Sequence, residues 1–149
     1  MAQTYIGSTL RCGSGTLTDS IDGGYTVLNQ FATVTTLASG AAVTASITIP
    51  ASSVIVNFII DQVTDETVGA GTATVINATV GTAAAGTQYL SATNVITGGR
   101  AALAFTAAQL TAMSNVGSNT SVYFTIAPNG TIVTTQGVYR ITVAYSQTV

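Results

Sequence analysis

Val43, Ala45, Ile47 and Ile49 alternate with Thr44, Ser46 and Thr48, and this two-residue rhythm recurs along most of the chain. Successive side chains of a β-strand point to opposite faces, so apolar residues at every second position make one buried face and one wet one. A helix would need apolar spacings of three and four. The alternation therefore predicts a strand over Val43–Ile49, closed by Pro50, which cannot donate to a ladder. Val122, Phe124 and Ile126 repeat the pattern against Ser121, Tyr123 and Thr125. Near the end of the chain, Tyr139, Ile141, Val143 and Tyr145 form one face opposite Val138, Arg140, Thr142 and Ala144.

Between these anchors the reading continues in short segments. Ala51-Ser52-Ser53 predicts a turn. Val54 to Ile60 is apolar on both faces except at Asn57, which reads as a central strand covered on both sides or as one covered by a partner subunit. Its β-branched residues favour strand over helix. Thr64 to Gly71 carries the densest charge and ends in Gly-Ala-Gly, a loop composition. Thr72 to Val80 reads as a strand, Gly81 and Gly86 bracket a turn, and Gln88–Ala92 and Val95–Thr97 are short strand candidates. Thr106-Ala-Ala-Gln109 fits a capping box, and Leu110 and Met113 follow at helical spacing, so one short helix is expected as a plug over an end of the fold. Pro128-Asn129-Gly130 is a turn signal. About eight strands with turns at short intervals predict an all-β chain, a β-sandwich with a jelly-roll-like course.

What the chain lacks excludes most chemistry. It has 149 residues, enough for one domain with a core, and 47% of them are hydrophobic while only 5% are charged. It has no His and no Lys; the basic residues are Arg11, Arg100 and Arg140, and the acids are Asp19, Asp22, Asp61, Asp65 and Glu66. Without His there is no imidazole base and no Ser-His or Cys-His pair; without Lys there is no Schiff base and no phosphate-loop lysine. An enzyme is not expected, and no cofactor is. Three arginines cannot neutralise a run of phosphates or hold an anionic membrane, so neither nucleic acid nor membrane is an expected partner. Cys12 is the single cysteine, which rules out an internal disulfide and reads as a free thiol of a chain made in a reducing cytoplasm. The first residues lack the basic and apolar regions of a signal peptide, and the apolar run Val54–Ile60 is too short to span a bilayer. Three Asn-x-Ser/Thr triplets, at Asn77, Asn119 and Asn129, are chance matches in a chain rich in Asn and Thr.

The beginning of the chain differs from the rest. Tyr5, Ile6 and Leu10 precede a stretch from Arg11 to Gly24 that is rich in Gly, Ser, Thr and Asp. Two readings stand. Residues 1–24 are an N-terminal arm on a sandwich domain of residues 25–149, or they are an irregular first strand with a long loop. In the first reading Tyr5, Ile6 and Leu10 are the interface candidates, because loose termini gain order from a partner. Two other groups invite a functional reading. Asp61, Asp65 and Glu66 are the clustered acids, and a solvated loop tip accounts for them better than a calcium site or an acid-base pair. The six tyrosines could make a glycan platform, but scattered over different segments they read as core or interface residues. The scarcity of charge has its own meaning. Soluble monomers keep apart by surface charge, so a surface of Thr, Ser, Asn, Gln, Gly and Ala points to permanent contacts, most simply in a symmetric homo-oligomer.

From about Val43 to Tyr145 the order of segments resembles small β-sandwich capsid decoration (cement) proteins of bacteriophages. The stretches that carry the resemblance are Ile47-Thr-Ile-Pro50-Ala-Ser-Ser with Val54-Ile-Val-Asn-Phe, Thr74-Val-Ile-Asn-Ala-Thr-Val-Gly-Thr82, Tyr89-Leu-Ser, and Gly137-Val-Tyr-Arg-Ile-Thr-Val-Ala-Tyr145. The resemblance implies a jelly-roll-like sandwich, trimeric on the capsid surface, made in the host cytoplasm and clamping neighbouring subunits of the major capsid protein. With so little charge, attachment would rest on shape, apolar contact and backbone pairing. The alternative within the virion is a tail, fibre or head-spike subunit that contacts the host surface. A small hydrolase resting on the acid cluster is a remote third.

Overall fold

The computed structural model describes residues 27–66, 73–96, 98–130 and 135–147. Its elements are seven strands and one helix: β1 (Val27–Thr35), β2 (Val43–Ile49), β3 (Ser53–Thr64), β4 (Ile76–Gly81), β5 (Leu90–Asn94), α1 (Ala107–Met113), β6 (Thr120–Pro128) and β7 (Val138–Gln147). The proposed arm, residues 1–24, lies outside the described residues, and with it Tyr5, Ile6, Leu10 and Cys12.

Two antiparallel sheets face each other. One has the order β1-β7-β3 and the other β2-β6-β4-β5. The last strand pairs with the first and third, and the sixth with the second and fourth. The chain crosses between the two sheets of a β-sandwich at β1–β2, β2–β3, β3–β4 and β6–β7. The expected all-β fold is what the chain adopts.

The alternating residues decide which face goes inside. Tyr139, Ile141, Val143 and Tyr145 of β7 and Val122, Phe124 and Ile126 of β6 are all buried, as the period-two pattern requires. They meet Ile47 and Ile49 of β2, Ile55, Phe58 and Ile60 of β3, and Ile76, Ala78 and Val80 of β4 in one core. The Phe58 ring lies 5.9 Å from Tyr89 and 6.0 Å from Phe124, the latter edge-on, so aromatic packing joins the sheets. Helix α1 is capped as the sequence predicts: Thr106 accepts from the Gln109 amide and its own amide donates to Gln109. Met113 is buried but Leu110 is exposed, because buried Gln109 takes the inward place and donates to Thr87 O and Ser91 Oγ.

Several expectations need correction. Val54–Ile60 is not a central strand covered on both sides. It belongs to β3, an edge strand, and the central place is held by β7. Its alternation is hidden because the ladder shifts register between Ile55 and Asn57: Val56 sits in the irregularity and is 52% exposed, while Ile55, Phe58 and Ile60 all reach the core. The strand extends beyond Asp61 to Thr64. Val95–Thr97 is not a strand: Val95 and Ile96 leave β5, turned by Asn94, whose Oδ1 accepts from the amides of Ile76 and Ile96, and Thr97 lies outside the described residues. The fourth strand starts at Ile76, later than the predicted Thr72. The described strands number seven instead of about eight. β1 was not marked by the alternation, because Val27, Leu28 and Phe31 do not alternate and all three are exposed.

Candidate functional site

Two regions stand out: a charged end of the three-stranded sheet, and the open side formed by β1 and β2.

The five charged residues of the described chain, Asp61, Asp65, Glu66, Arg100 and Arg140, belong to β3, the residues after it, β7 and the 98–101 segment. Asp61 and Arg140 are register partners on β3 and β7, so their side chains share the outer face. Arg100 reaches Asp61 from the other side through an isolated bridge. Its Nε donates to Asp61 Oδ1 at 2.8 Å, and Arg140 Nη2 donates to Oδ2 at 3.1 Å. The hydrogen bond from Arg100, followed by that from Arg140, holds the Asp61 carboxyl below its usual range, against an opposing effect of burial.

Glu66 behaves differently. It is buried, which corrects the expectation of a solvated loop tip for this acid. Tyr139 donates its hydroxyl to Glu66 Oε1 at 2.7 Å, and Gln62 Nε2 donates to Oε2 at 3.2 Å. Gln62 Oε1 in turn accepts from the Gly98 amide at 2.8 Å. Burial, and then the carboxylate beside it, push the Tyr139 hydroxyl far above the ordinary tyrosine value. A Cβ on Gly137 would collide with the Glu66 carboxylate and displace it, and the Gly137 amide and carbonyl are both bonded to Thr36. The network is a structural lock between β3, β7 and the 98–101 segment. Its polar groups are bonded to one another, as in a satisfied interior.

Among the described residues no three of His, Cys, Asp and Glu are grouped to hold a metal ion. A shallow cleft of about 190 Å³ lies beside β3, lined by Asn57, Phe58, Ile59, Arg100, Leu103 and Phe105 among others. It offers apolar walls and one guanidinium at the rim. Tyr89, Tyr139 and Tyr145 are buried, so they form no exposed stacking platform; Tyr5 and Tyr25 lie outside the described residues. No helix of the described residues is long and apolar enough to cross a membrane.

Among the described residues the outer faces elsewhere carry hydroxyl, amide and apolar groups. On the four-stranded sheet Thr44, Ser46 and Thr48 lie across from Thr125, Tyr123 and Ser121; the Thr44 and Thr125 hydroxyls are bonded at 2.9 Å, and Thr125 is buried, accepting from the Ala85 amide at 2.8 Å. Asparagines do the work that charged residues often do. Asn129 accepts from the amides of Thr74 and Val75, and Asn119 from that of Ala51, so two of the chance triplets have their side chains engaged in loop staples. On the three-stranded sheet Val27, Phe31, Val54 and Ile59 share the outer face, and Phe31 is 68% exposed. Sequence reasoning missed this surface because β1 itself was not visible as a strand.

No protein-family model matches the chain, and no curated protein does. A solved structure does match: a chain of the cyanophage Pam1 capsid asymmetric unit, with a TM-score of 0.57 and 19% identity, covering 99% of this chain and 99% of that one. At that identity the likeness is one of fold, and it extends over essentially the whole of both chains.

Proposed function

We propose that this chain is a virion structural protein, a decoration (cement) protein that binds the surface of a phage head and stabilises it by bridging subunits of the major capsid protein. The observation that carries the reading is the fold shared, end to end, with a chain of a cyanophage capsid. The composition supports it. Among the described residues the charges gather at one end of the sandwich and leave broad faces of hydroxyl, amide and apolar groups, suited to permanent contacts instead of diffusing alone. The chain acts by binding and not by catalysis, in keeping with its lack of His and Lys. It assembles with itself, most simply as a trimer, as the resemblance of its sequence implies.

The test is reconstitution. Purified protein is mixed with phage heads that lack it, and the particles are separated, imaged and challenged with heat. Hundreds of copies per head, with a higher temperature of genome release, are expected. Absence from heads, or a few copies confined to the tail or a single vertex, overturns the reading. Cys12→Ser, and separately Asp61→Asn with Asp65→Asn, should leave head binding unchanged; loss of binding with an intact fold would restore an active-site or metal reading.

A further inference from the structure

The two sides of the sandwich treat their edge strands in opposite ways. On the β3 and β5 side the edges are blocked. β3 has register shifts near both ends, and its free edge is covered by backbone bonds from Gln62 N to Gly99 O at 2.8 Å and from Ala101 N to Ile60 O at 2.9 Å. β5 is five residues long with an irregular register, and Gln109 of the helix is tied to Ser91 within it. On the other side β1 and β2 lie next to each other. Both keep an unbroken register, β1 to β7 and β2 to β6. Neither contains a charge or a proline. Among the described residues no backbone group bonds to the outer edge of either. Proteins normally blunt such edges with charge, proline, bulges or cover, because an open, flat, uncharged edge is a template for another strand.

We propose that residues 3–10 of a neighbouring copy add to the open edge of β1 as an antiparallel strand. The chain outside the described residues supplies the occupant: 26 residues precede Val27, the first residue of β1. Their apolar spacing matches the surface. Val27 and Phe31 are four apart on the outer face of β1, with Leu28 on the inner face. Ile6 and Leu10 are also four apart, with Tyr5 on the opposite side. Setting Ile6 across from Phe31 and Leu10 across from Val27 lets each pair of apolar side chains cover the other, and it puts Tyr5 across from Ala32 on the core side. The segment has no proline to interrupt the ladder. A return to the chain's own β1 would need a 16-residue connection, Arg11 to Thr26, where hairpins use about two to five. The same 16 residues extend as far as roughly 50 Å, enough to reach another molecule. Backbone hydrogen bonds supply the affinity without charge. The inference concerns self-association and stands apart from the capsid reading.

Cross-linking between two different chains tests it. In a full chain carrying Cys12→Ser, one variant also carries Ile6→Cys and a second carries Phe31→Cys; opposed residues of an antiparallel pair lie within disulfide reach. Mixed and oxidised, they should give a covalent heterodimer as the main species on a non-reducing gel, and Leu10→Cys mixed with Val27→Cys should do the same. Ile6→Cys mixed with Ser91→Cys, on the blocked side, should give none. Ile6→Lys with Leu10→Lys should weaken self-association about tenfold or more in sedimentation while the circular dichroism spectrum stays unchanged. The proposal is overturned if neither matched pair cross-links in correctly folded protein, or if the Ser91 control cross-links equally. It is also overturned if a disulfide forms only when both cysteines are in one chain, which would place the segment on its own edge.

Discussion

The strands flanking β7 are built from different materials, although both face the same four core residues. Across from Tyr145, Val143 and Ile141, β3 places Ile55, Phe58 and Ile60, all buried. Across from the same residues β1 places Leu28, Gln30 and Ala32, which are exposed or half-buried, and Gln30 spends its amide on the Tyr145 hydroxyl at 2.7 Å. The core is therefore centred toward β3. β1 is held by its ladder and by Val34 near its end, and it contributes little apolar burial of its own. A single fold can thus separate the strand that holds the domain together from the strand it offers to a partner.

The sharpest way to break this comparison is to truncate each strand in the same row or its neighbour. Phe58 touches the rings of Tyr89, Phe105 and Phe124 and is fully enclosed. Phe58→Ala should lower unfolding stability by about 3–5 kcal/mol, the cost of lost burial plus a cavity that stiff neighbours cannot fill. Leu28→Ala on β1 should cost about 1 kcal/mol or less, since its side chain already meets solvent. Urea unfolding of the two variants measures both, and near-equal losses would mean that β1 is a full member of the core.

Next in size is the polar lock. Tyr139→Phe keeps the ring and removes the hydroxyl that satisfies one oxygen of buried Glu66. The expected loss is about 1–3 kcal/mol, because a buried acceptor is left without its partner. The lock also has a pH signature. The Tyr139 hydroxyl is raised in the folded chain, so both states keep the proton below about pH 10, and above it the unfolded chain loses its proton first. Stability should therefore fall as pH rises past about 10, and Tyr139→Phe should flatten that fall. An unchanged alkaline slope in the variant would assign it to other tyrosines, Tyr89 among them, which burial also raises.

The lock shows where sequence reading stops. Alternation located β2, β6 and β7 almost to the residue, because each sends every second side chain, an apolar one, into the core. It could not place β3 at an edge, since a bulge makes an edge strand look apolar on both faces. Nor could it find β1, whose Val27, Leu28 and Phe31 are exposed and do not alternate. Glu66 read as a loop acid because the residues that bury it, Gln62 apart, are far away in sequence: Tyr139 lies 73 positions on. The capping box was legible because it is local. The interface candidates Tyr5, Ile6 and Leu10 rest on pattern alone, as they fall outside the described residues.

That local motif gives a smaller effect on the blocked side. Thr106→Ala removes the acceptor for the Gln109 amide. It should cost about 1 kcal/mol, in the usual range for a lost N-cap. Because Gln109 also ties the helix to Thr87 and Ser91, the same change should raise hydrogen exchange at the start of β5 more than in β2. Equal acceleration in both strands would mean that the helix does not guard the β5 edge in particular.

The smallest expected effect concerns the ion cluster on the β3 edge. Asp61 is shared by Arg100 and Arg140, whose side chains are 66% and 51% exposed, so solvent and salt screen most of the attraction. Asp61→Asn should shift the urea midpoint only slightly at pH 7, and less in molar salt. The sign of its pH dependence follows from the lowered carboxyl. Stabilisation by the cluster is present in full above the unfolded value of about 3.9 and is lost as pH falls through the lower folded value. Wild type and variant should therefore converge in acid and nowhere between pH 5 and 8. The more informative readout is local. The bonds from Gln62 N to Gly99 O and from Ala101 N to Ile60 O do not depend on the carboxylate. If those two amides stay protected in Asp61→Asn, backbone pairing alone blocks the β3 edge, and the arginines only decorate it. If they exchange freely and the variant associates further than wild type does, the charge is what keeps that edge closed, and its absence from β1 and β2 is what leaves theirs open.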